Sequence, residues 1–292
     1  MNIVILSRNI NLYSTRRLIE EAHLRNHQVE VIDPLECDLI IEKEKPTILY
    51  RDTYLDNIDA IIPRIGASVT YYGCAVVRQF EMMNVFSTVS SDAIIKSRDK
   101  LRSFQHLSKA GIDMPKTVFT NYSRDTAKVI AQVGGIPVVI KLLEGTQGIG
   151  VVLAESENAA ESVLEAFNGL EARALVQEYI AEAKGADLRA LIVDGHVVGA
   201  MKRQGKEGEF RSNLHRGGTY EHYKLDDNEI RLALKAARKL KLPICGVDIL
   251  QSNRGPLVME VNSTPGLEGV EIASGKNIAK SIITYIERGR VL

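Results

Sequence analysis

The sequence has no excess of charge of either sign, because 37 basic residues balance 37 acidic ones among its 292. A chain that held nucleic acid by bulk electrostatics would be basic, so no direct nucleic-acid binding is expected and any anionic partner must be recognised locally. Cysteine is scarce. Cys37, Cys74 and Cys245 are odd in number, far apart and without Cys-x-x-Cys spacing, which excludes a disulfide framework and a zinc site and suits a reducing cytoplasm. No segment approaches transmembrane length, and Met1-Asn-Ile-Val-Ile-Leu6 lacks a basic leader and a cleavage site. A cytoplasmic location with no membrane partner is therefore expected. No internal repeat is visible, and the six histidines show no close pair at helical spacing. The turn Ser7-Arg-Asn-Ile-Asn-Leu12 lacks the glycines of a dinucleotide site, which argues against nicotinamide chemistry. What remains is ordinary for a globular protein, 45% hydrophobic and 25% charged, and long enough for two or three packed units.

Periodicity predicts a βαβ opening: a strand over residues 2–6, a helix over 14–26 with Leu18, Ala22 and Leu24 inward, and a strand over 29–32. Further strands at 58–64 and 85–89, with a helix over 71–83 between them, give an open, mostly parallel sheet. A single helix is expected from Asp92 to Ala110, stopped by Gly111-Ile-Asp-Met-Pro115. The pattern changes near residue 93, which divides the chain into an N-terminal α/β domain, 1–93, and an α+β half, 94–292. In that half, strands are expected at 137–143, 151–154, 175–180, 187–193 and 196–202, the last two joined by the type I′ signal Asp194-Gly195. Helices are expected over 123–133, 159–167, 227–240 and 276–288.

The richest chemistry lies near the C-terminus. Gly246-Val-Asp-Ile-Leu and Leu257-Val-Met-Glu-Val-Asn262 flank Ser252-Asn-Arg-Gly-Pro256 and read as a hairpin, whose loop of about three residues sets Asp248 opposite Glu260. Asn262 shares a face with Glu260. Carboxylates among apolar neighbours call for a cation between them, and oxygen ligands without His or Cys suit magnesium or manganese with a phosphate substrate. A solvated hairpin face is the alternative. Lys141, centred in Val138-Val-Ile-Lys-Leu-Leu143, needs an anionic partner if buried, or else it snorkels from an edge strand. Glu144-Gly-Thr-Gln-Gly-Ile-Gly150 follows it. Its glycines Gly145, Gly148 and Gly150 could approach phosphates, although Gly-Lys-Ser/Thr is missing and a purely structural loop is the competing reading. Lys96-Ser-Arg-Asp-Lys100 is cationic, Gln177-Glu-Tyr-Ile180 ends a strand, and Phe210-Arg-Ser-Asn-Leu-His-Arg-Gly-Gly218 is a polar loop fit for an anion or simply for solvent.

In that order these segments resemble the ATP-grasp superfamily over roughly residues 96–290. Leu6-Ser-Arg8, Pro63-Arg-Ile-Gly66, Arg78-Gln-Phe-Glu-Met82, Ser97-Arg-Asp-Lys-Leu-Arg102 and Glu260-Val-Asn-Ser-Thr-Pro-Gly-Leu-Glu268 extend the resemblance, over nearly the whole chain, to the RimK ligases. These add glutamate to the C-terminus of the sixth protein of the small ribosomal subunit, and relatives polymerise glutamate or modify carrier proteins. The resemblance implies an ATP-grasp fold preceded by an open-sheet pre-ATP-grasp domain. It also implies ATP as substrate, two Mg²⁺ or Mn²⁺ ions, L-glutamate, a ribosomal protein acceptor and a homotetramer. Lys100 and Lys141 would hold phosphates, Glu178 and Tyr179 line the adenine, and Asp187 the ribose. Gly145 and Gly148 would cover the nucleotide, Arg211, Ser212 and Asn213 would lie over the phosphate end, and Asp248, Glu260 and Asn262 would bind metal. Arg203 would stabilise an acyl phosphate and the oxyanion that follows. Lys202, Arg203, Arg211 and Arg216 would form a groove attracting an acidic acceptor. The chain ends at Arg288-Gly-Arg-Val-Leu292 without the longer tail of some relatives, which bears on oligomer contacts. A ligase acting on another carrier protein or peptide, or a regulator that binds nucleotide without catalysis, are the alternatives.

Overall fold

The computed structural model describes residues 1–120, 125–143, 149–212 and 217–289. Gly145, Gly148, Asn213 and Arg216 lie outside them.

The first unit runs β1 (Asn2–Leu6), α1 (Tyr13–Leu24), β2 (Gln28–Ile32), β3 (Cys37–Ile40), β4 (Thr47–Tyr50), β5 (Thr53–Tyr54), β6 (Ala60–Pro63), α2 (Thr70–Met82) and β7 (Phe86–Ser87). β2, β1, β6 and β7 form one parallel sheet in that order, and β3, β4 and β5 a small antiparallel one. Ile3 to Leu6 are all sealed, as a parallel strand covered on both faces requires. Leu18 and Ala22 of α1 face the core as expected, but Leu24 is 75% exposed. It lies two residues beyond Ala22, around the helix from the buried stripe.

The helix expected over 92–110 is two: α3 (Ser91–Arg98) and α4 (Lys100–Lys109). Asp99 leaves the helical region at φ −77, ψ 99, and its carboxylate accepts the Arg102 amide at 2.9 Å. An aspartate that can cap a new helix competes with continuing the old one. The boundary placed at residue 93 falls inside α3, which touches both α2 and a later helix over Asp227–Leu240.

The middle unit comprises β8 (Thr117–Phe119), α5 (Thr126–Val133), β9 (Val138–Leu142), β10 (Val151–Ala154), α6 (Glu157–Gly169) and β11 (Ala174–Glu178). Its antiparallel sheet has the order β10, β9, β11, β8. Val138, Ile140 and Val176 pack against Val129, Ile130, Val133, Ala160 and Leu164 in a core of their own.

The last unit is a five-stranded antiparallel sheet, in order β14 (Thr219–His222), β13 (His196–Gln204), β12 (Ala186–Val193), β15 (Ile244–Ser252) and β16 (Gly255–Asn262). It is packed by α7 (Asp227–Leu240), α8 (Glu268–Ser274) and α9 (Ile278–Gly289). A capping box starts α7: Asp226 accepts the Asn228 and Glu229 amides while Glu229 accepts the Asp226 amide. Asp194 and Gly195, at φ 52 and 71, make the expected tight turn. The core of this sheet is continuous with that of the first unit, running from Ile3 through Ala190, Val247 and Ile249 to Ile286, so N- and C-terminal units form one packed body beside the middle unit.

The β15–β16 hairpin reaches the expected pairing by a different route. Its turn holds two residues, Asn253 and Arg254, since Ser252 pairs with Gly255. Taken alone, that shorter turn would shift the register by one. A bulge at Met259 restores it: Ile249 pairs with Val258, Asp248 with Glu260. Gly255 sits at φ 105, a conformation that costs glycine little.

Candidate active site

The register of the large sheet assembles the site. Asp187 pairs with Arg203, Arg189 with Asp248, and Asp248 with Glu260, which puts all five side chains on one face. Arg203 donates from Nε and Nη2 to the two oxygens of Asp187 at 2.7 and 2.5 Å, and its Nη2 also lies 3.0 Å from Asp248 Oδ2. Arg189 donates to both Asp248 oxygens at 2.7 and 2.6 Å. The Asn262 amide donates to Asp248 Oδ2 at 3.3 Å.

The cation that the buried acids require is thus supplied by the protein itself. Burial opposes the charge of Asp248, but Arg189 and Arg203 outweigh it and hold the carboxyl below its usual range. Asp187, 2% exposed, gives both oxygens to Arg203 and presents no free carboxylate to a ribose here. Arg189 carries no role in the sequence reading, although its two-residue offset from Asp187 is the available signal.

Lys141 stands on β9, an interior strand, so it does not snorkel from an edge. The anion expected beside it is not in contact: its ammonium donates to Gln177 Oε1 at 2.6 Å, and Gln177 donates on to Thr117 Oγ1 at 2.8 Å. Burial, with Lys100 adding to it against Glu260 and Asp187, pushes Lys141 down to about 8. Lys100 opens α4 and donates to the Leu143 carbonyl at 2.7 Å, which brings it to the start of the glycine-rich segment. It too is lowered by burial, with Glu260 opposing. Two ammonium groups therefore feel Glu260 across the space between the sheets.

Arg211 spans from its own loop to the strand after the glycines, donating to Glu209 at 2.8 Å and to the Val151 carbonyl at 3.1 Å. Ser212 beside it is buried. Glu178 ends β11 with its carboxylate on Arg254, at 2.7 and 2.5 Å, and on the Lys116 amide at 3.0 Å. The acid is thus already engaged, and the half-buried Tyr179 follows directly. Arg254 has no role in the sequence reading, because the turn residues of a hairpin give no hint of what their side chains reach.

The proposed acceptor groove is corrected. Arg203 is neutralised by Asp187 and Asp248, Arg211 is bound to Glu209, and Lys202 lies on the opposite face of β13 from Arg203, across from Glu221.

For a divalent ion the donor set is oxygen only. The Glu260 carboxylate makes no hydrogen bond or ion pair among the described residues, Asn262 adds an amide oxygen, and Asp248, held ionised beside them, would share its oxygens with Arg189. These residues fit a hard cation of the magnesium type.

Comparison with known proteins shows the family. Residues 1–94 match the RimK PreATP-grasp domain and residues 97–286 the RimK-like ATP-grasp domain. A protein of Syntrophotalea carbinolica named probable alpha-L-glutamate ligase is 60% identical over 288 residues, covering 99% of this chain and 96% of its own length. One of a Marinomonas species with the same name is 59% identical over the same shares. Among solved structures, the ATP-grasp ligase PsnB bound to a phosphomimetic variant of its minimal precursor, Mg and ADP superposes with a TM-score of 0.76 at 18% identity, covering 98% of this chain and 97% of that one. A RimK domain ATP-grasp protein of Sphaerobacter thermophilus gives 0.74 at 22%, covering 98% and 99%.

Proposed function

Because the chain belongs to the RimK family of ATP-grasp ligases and is an ATP-dependent carboxylate–amine ligase, we propose that its amine is L-glutamate and its carboxylate the C-terminus of a small-subunit ribosomal protein. The observation that carries the reading is that Lys100 and Lys141 both face Glu260, cations for phosphate on one side and a hard oxygen ligand, paired with Asp248, on the other.

In this reading the γ-phosphoryl group of ATP passes to the acceptor carboxylate, giving an acyl phosphate and ADP. The amino nitrogen of glutamate then attacks the acyl carbon, a proton is lost, and phosphate leaves as the peptide bond forms. Lys100 and Lys141 hold the phosphates, and their charge matters more as negative charge moves in transfer. Glu260, Asp248 and Asn262 would hold two magnesium or manganese ions, which when bound neutralise phosphate charge. Arg203 is oriented by Asp187 and Asp248 through Nε and Nη2, leaving Nη1 without a hydrogen bond among the described residues, available to an acyl oxygen. The ends of β11 and of the loop through Ser212 border adenine and phosphates, while Asp187 serves to orient Arg203.

The test is to incubate the protein with ATP, magnesium and L-glutamate, with and without the ribosomal acceptor, recording intact acceptor mass and ADP. Additions of glutamate mass that require ATP support the reading. ADP release with an unmodified acceptor would point to a different acceptor.

A further inference from the structure

Pro63-Arg-Ile-Gly66 and Ser97-Arg98 have no role in the mechanism above, yet the fold brings their arginines to one place. Arg64 follows directly on β6, at the carboxyl end of a parallel sheet, where open α/β folds bind ligands. Arg98 is the last residue of α3. Arg98 Nη2 donates to the Ile65 carbonyl at 2.7 Å, Thr264 Oγ1 donates to the same carbonyl at 3.1 Å, and Arg64 Nη2 donates to the Pro265 carbonyl at 2.8 Å.

Neither guanidinium has an ion pair among the described residues. Each is held by a neutral carbonyl, and both residues are half-buried. Two side-chain atoms among the described residues are buried with no hydrogen-bond partner, Arg98 Nε and Ser263 Oγ, and both belong to this junction. Burial and the mutual repulsion of the pair push Arg64 down to about 10, while Arg98 is lowered by burial with Glu260 opposing. Two desolvated cations without a carboxylate are an unfavourable arrangement that an anion would relieve.

We propose that Arg64 and Arg98, with Ser263, form the subsite that holds a carboxylate of the incoming amino acid. The proposal rests on the reading that this amino acid is glutamate. Planar guanidinium forks match a carboxylate, whereas the phosphates have Lys100 and Lys141. The acceptor's terminal carboxylate loses its free charge on phosphorylation, but both carboxylates of the incoming glutamate stay ionised through the reaction and need fixed counter-charges. Residues 263–265 continue directly from Glu260 and Asn262, so a carboxylate bound here sets the amino group beside the reacting acyl phosphate.

The experiment is steady-state kinetics of Arg64→Gln, Arg64→Lys and Arg98→Gln, with KM measured separately for L-glutamate and for the acceptor, alongside ATP affinity and melting temperature. Loss of a charge-assisted bond to carboxylate raises KM for glutamate about ten- to one-hundred-fold, with ATP affinity and KM for the acceptor unchanged. Arg64→Lys restores part of the loss. An unchanged KM for glutamate, or a rise confined to the acceptor, overturns the subsite while leaving the ligase reading intact. If wild type instead ligates a different amino acid and the variants raise KM for that one, the glutamate reading fails and the subsite stands. Because Arg98 also holds the Ile65 carbonyl, the Arg64 pair carries the test should Arg98→Gln fail to fold.

Discussion

Lys141 makes ATP binding sensitive to pH in a calculable way. Its ammonium is pushed down to about 8 from an ordinary 10.5, so without nucleotide it loses its proton across the mildly alkaline range. Phosphate oxygens bind the ammonium and not the amine. ATP affinity should therefore be flat below pH about 7 and fall above about 8, approaching tenfold per pH unit and reaching about thirtyfold at pH about 9.5. Near pH 8, binding should take up about half a proton, read by calorimetry in buffers of different ionisation enthalpy. Lys141→Met should bind ATP more weakly and lose this slope. The effect on folding has the opposite sign to the usual lysine case: the unfolded chain holds the proton more tightly, so stability rises with pH between about 8 and 10.5. That gain is at most about 3 kcal/mol. A flat ATP affinity from pH 7 to 9.5 in wild type, or a slope that persists in Lys141→Met, would refute the reasoning.

Arg203→Met leaves Asp187 without its partner and should lower unfolding free energy by about 3–5 kcal/mol; adding Asp187→Asn should recover much of that stability in denaturant melts without recovering turnover, and recovery of turnover would remove Arg203 from the chemistry. A Cβ at Gly205 would lie 2.5 Å from the Arg211 carbonyl oxygen and 2.7 Å from that of Glu209, both backbone atoms. Gly205→Ala should therefore cost about 1–3 kcal/mol and displace Arg211 from Val151, which thermal melts and ATP titrations would register together. Arg254→Ala frees the Glu178 carboxylate but removes a largely exposed partner, so global stability should change by less than about 1 kcal/mol; faster amide exchange at residues 178–180 with an unchanged melting temperature is the expected result.

Local signals carry much of this far. The parallel opening sheet, the Asp194-Gly195 turn and the pairing of Asp248 with Glu260 follow from hydrophobic period and turn chemistry, and the structure has them. The last is reached for a partly wrong reason, since a shorter turn and a bulge at Met259 offset each other, and a bulge leaves no mark in a short apolar run. The break at Asp99 is open to reading, because aspartate before a helical stretch is a capping signal, but the continuous amphipathic pattern masks it. Strands β3, β4, β5, β8 and β14 are not expected from the sequence. They are short, lie at sheet edges or in the small sheet, and owe their pairing to neighbours that sequence alone does not place. The pairing of Arg189 with Asp248 joins residues 59 apart, and that of Arg64 with Pro265 joins residues 201 apart, distances at which local pattern carries no information.

The zero net charge of the chain conceals two different local balances. In the first, Asp187, Arg203, Asp248 and Arg189 alternate in sign and close on one another, so the network carries no net charge and orients Arg203. In the second, Arg64, Arg98, Lys100 and Lys141 converge from four segments, and Glu260 is the acid that Arg98, Lys100 and Lys141 feel. Arg98, Arg64 and Lys141 are held by the Ile65 and Pro265 carbonyls and by Gln177, all neutral, and keep their field for whatever enters the cleft. Groups fixed in this way need little reorganisation when negative charge arrives or moves, which is the condition under which electrostatics lowers a barrier. The neutral network thus sets geometry and the unbalanced one supplies attraction, a division that composition cannot reveal because the charges of both are counted in the same total.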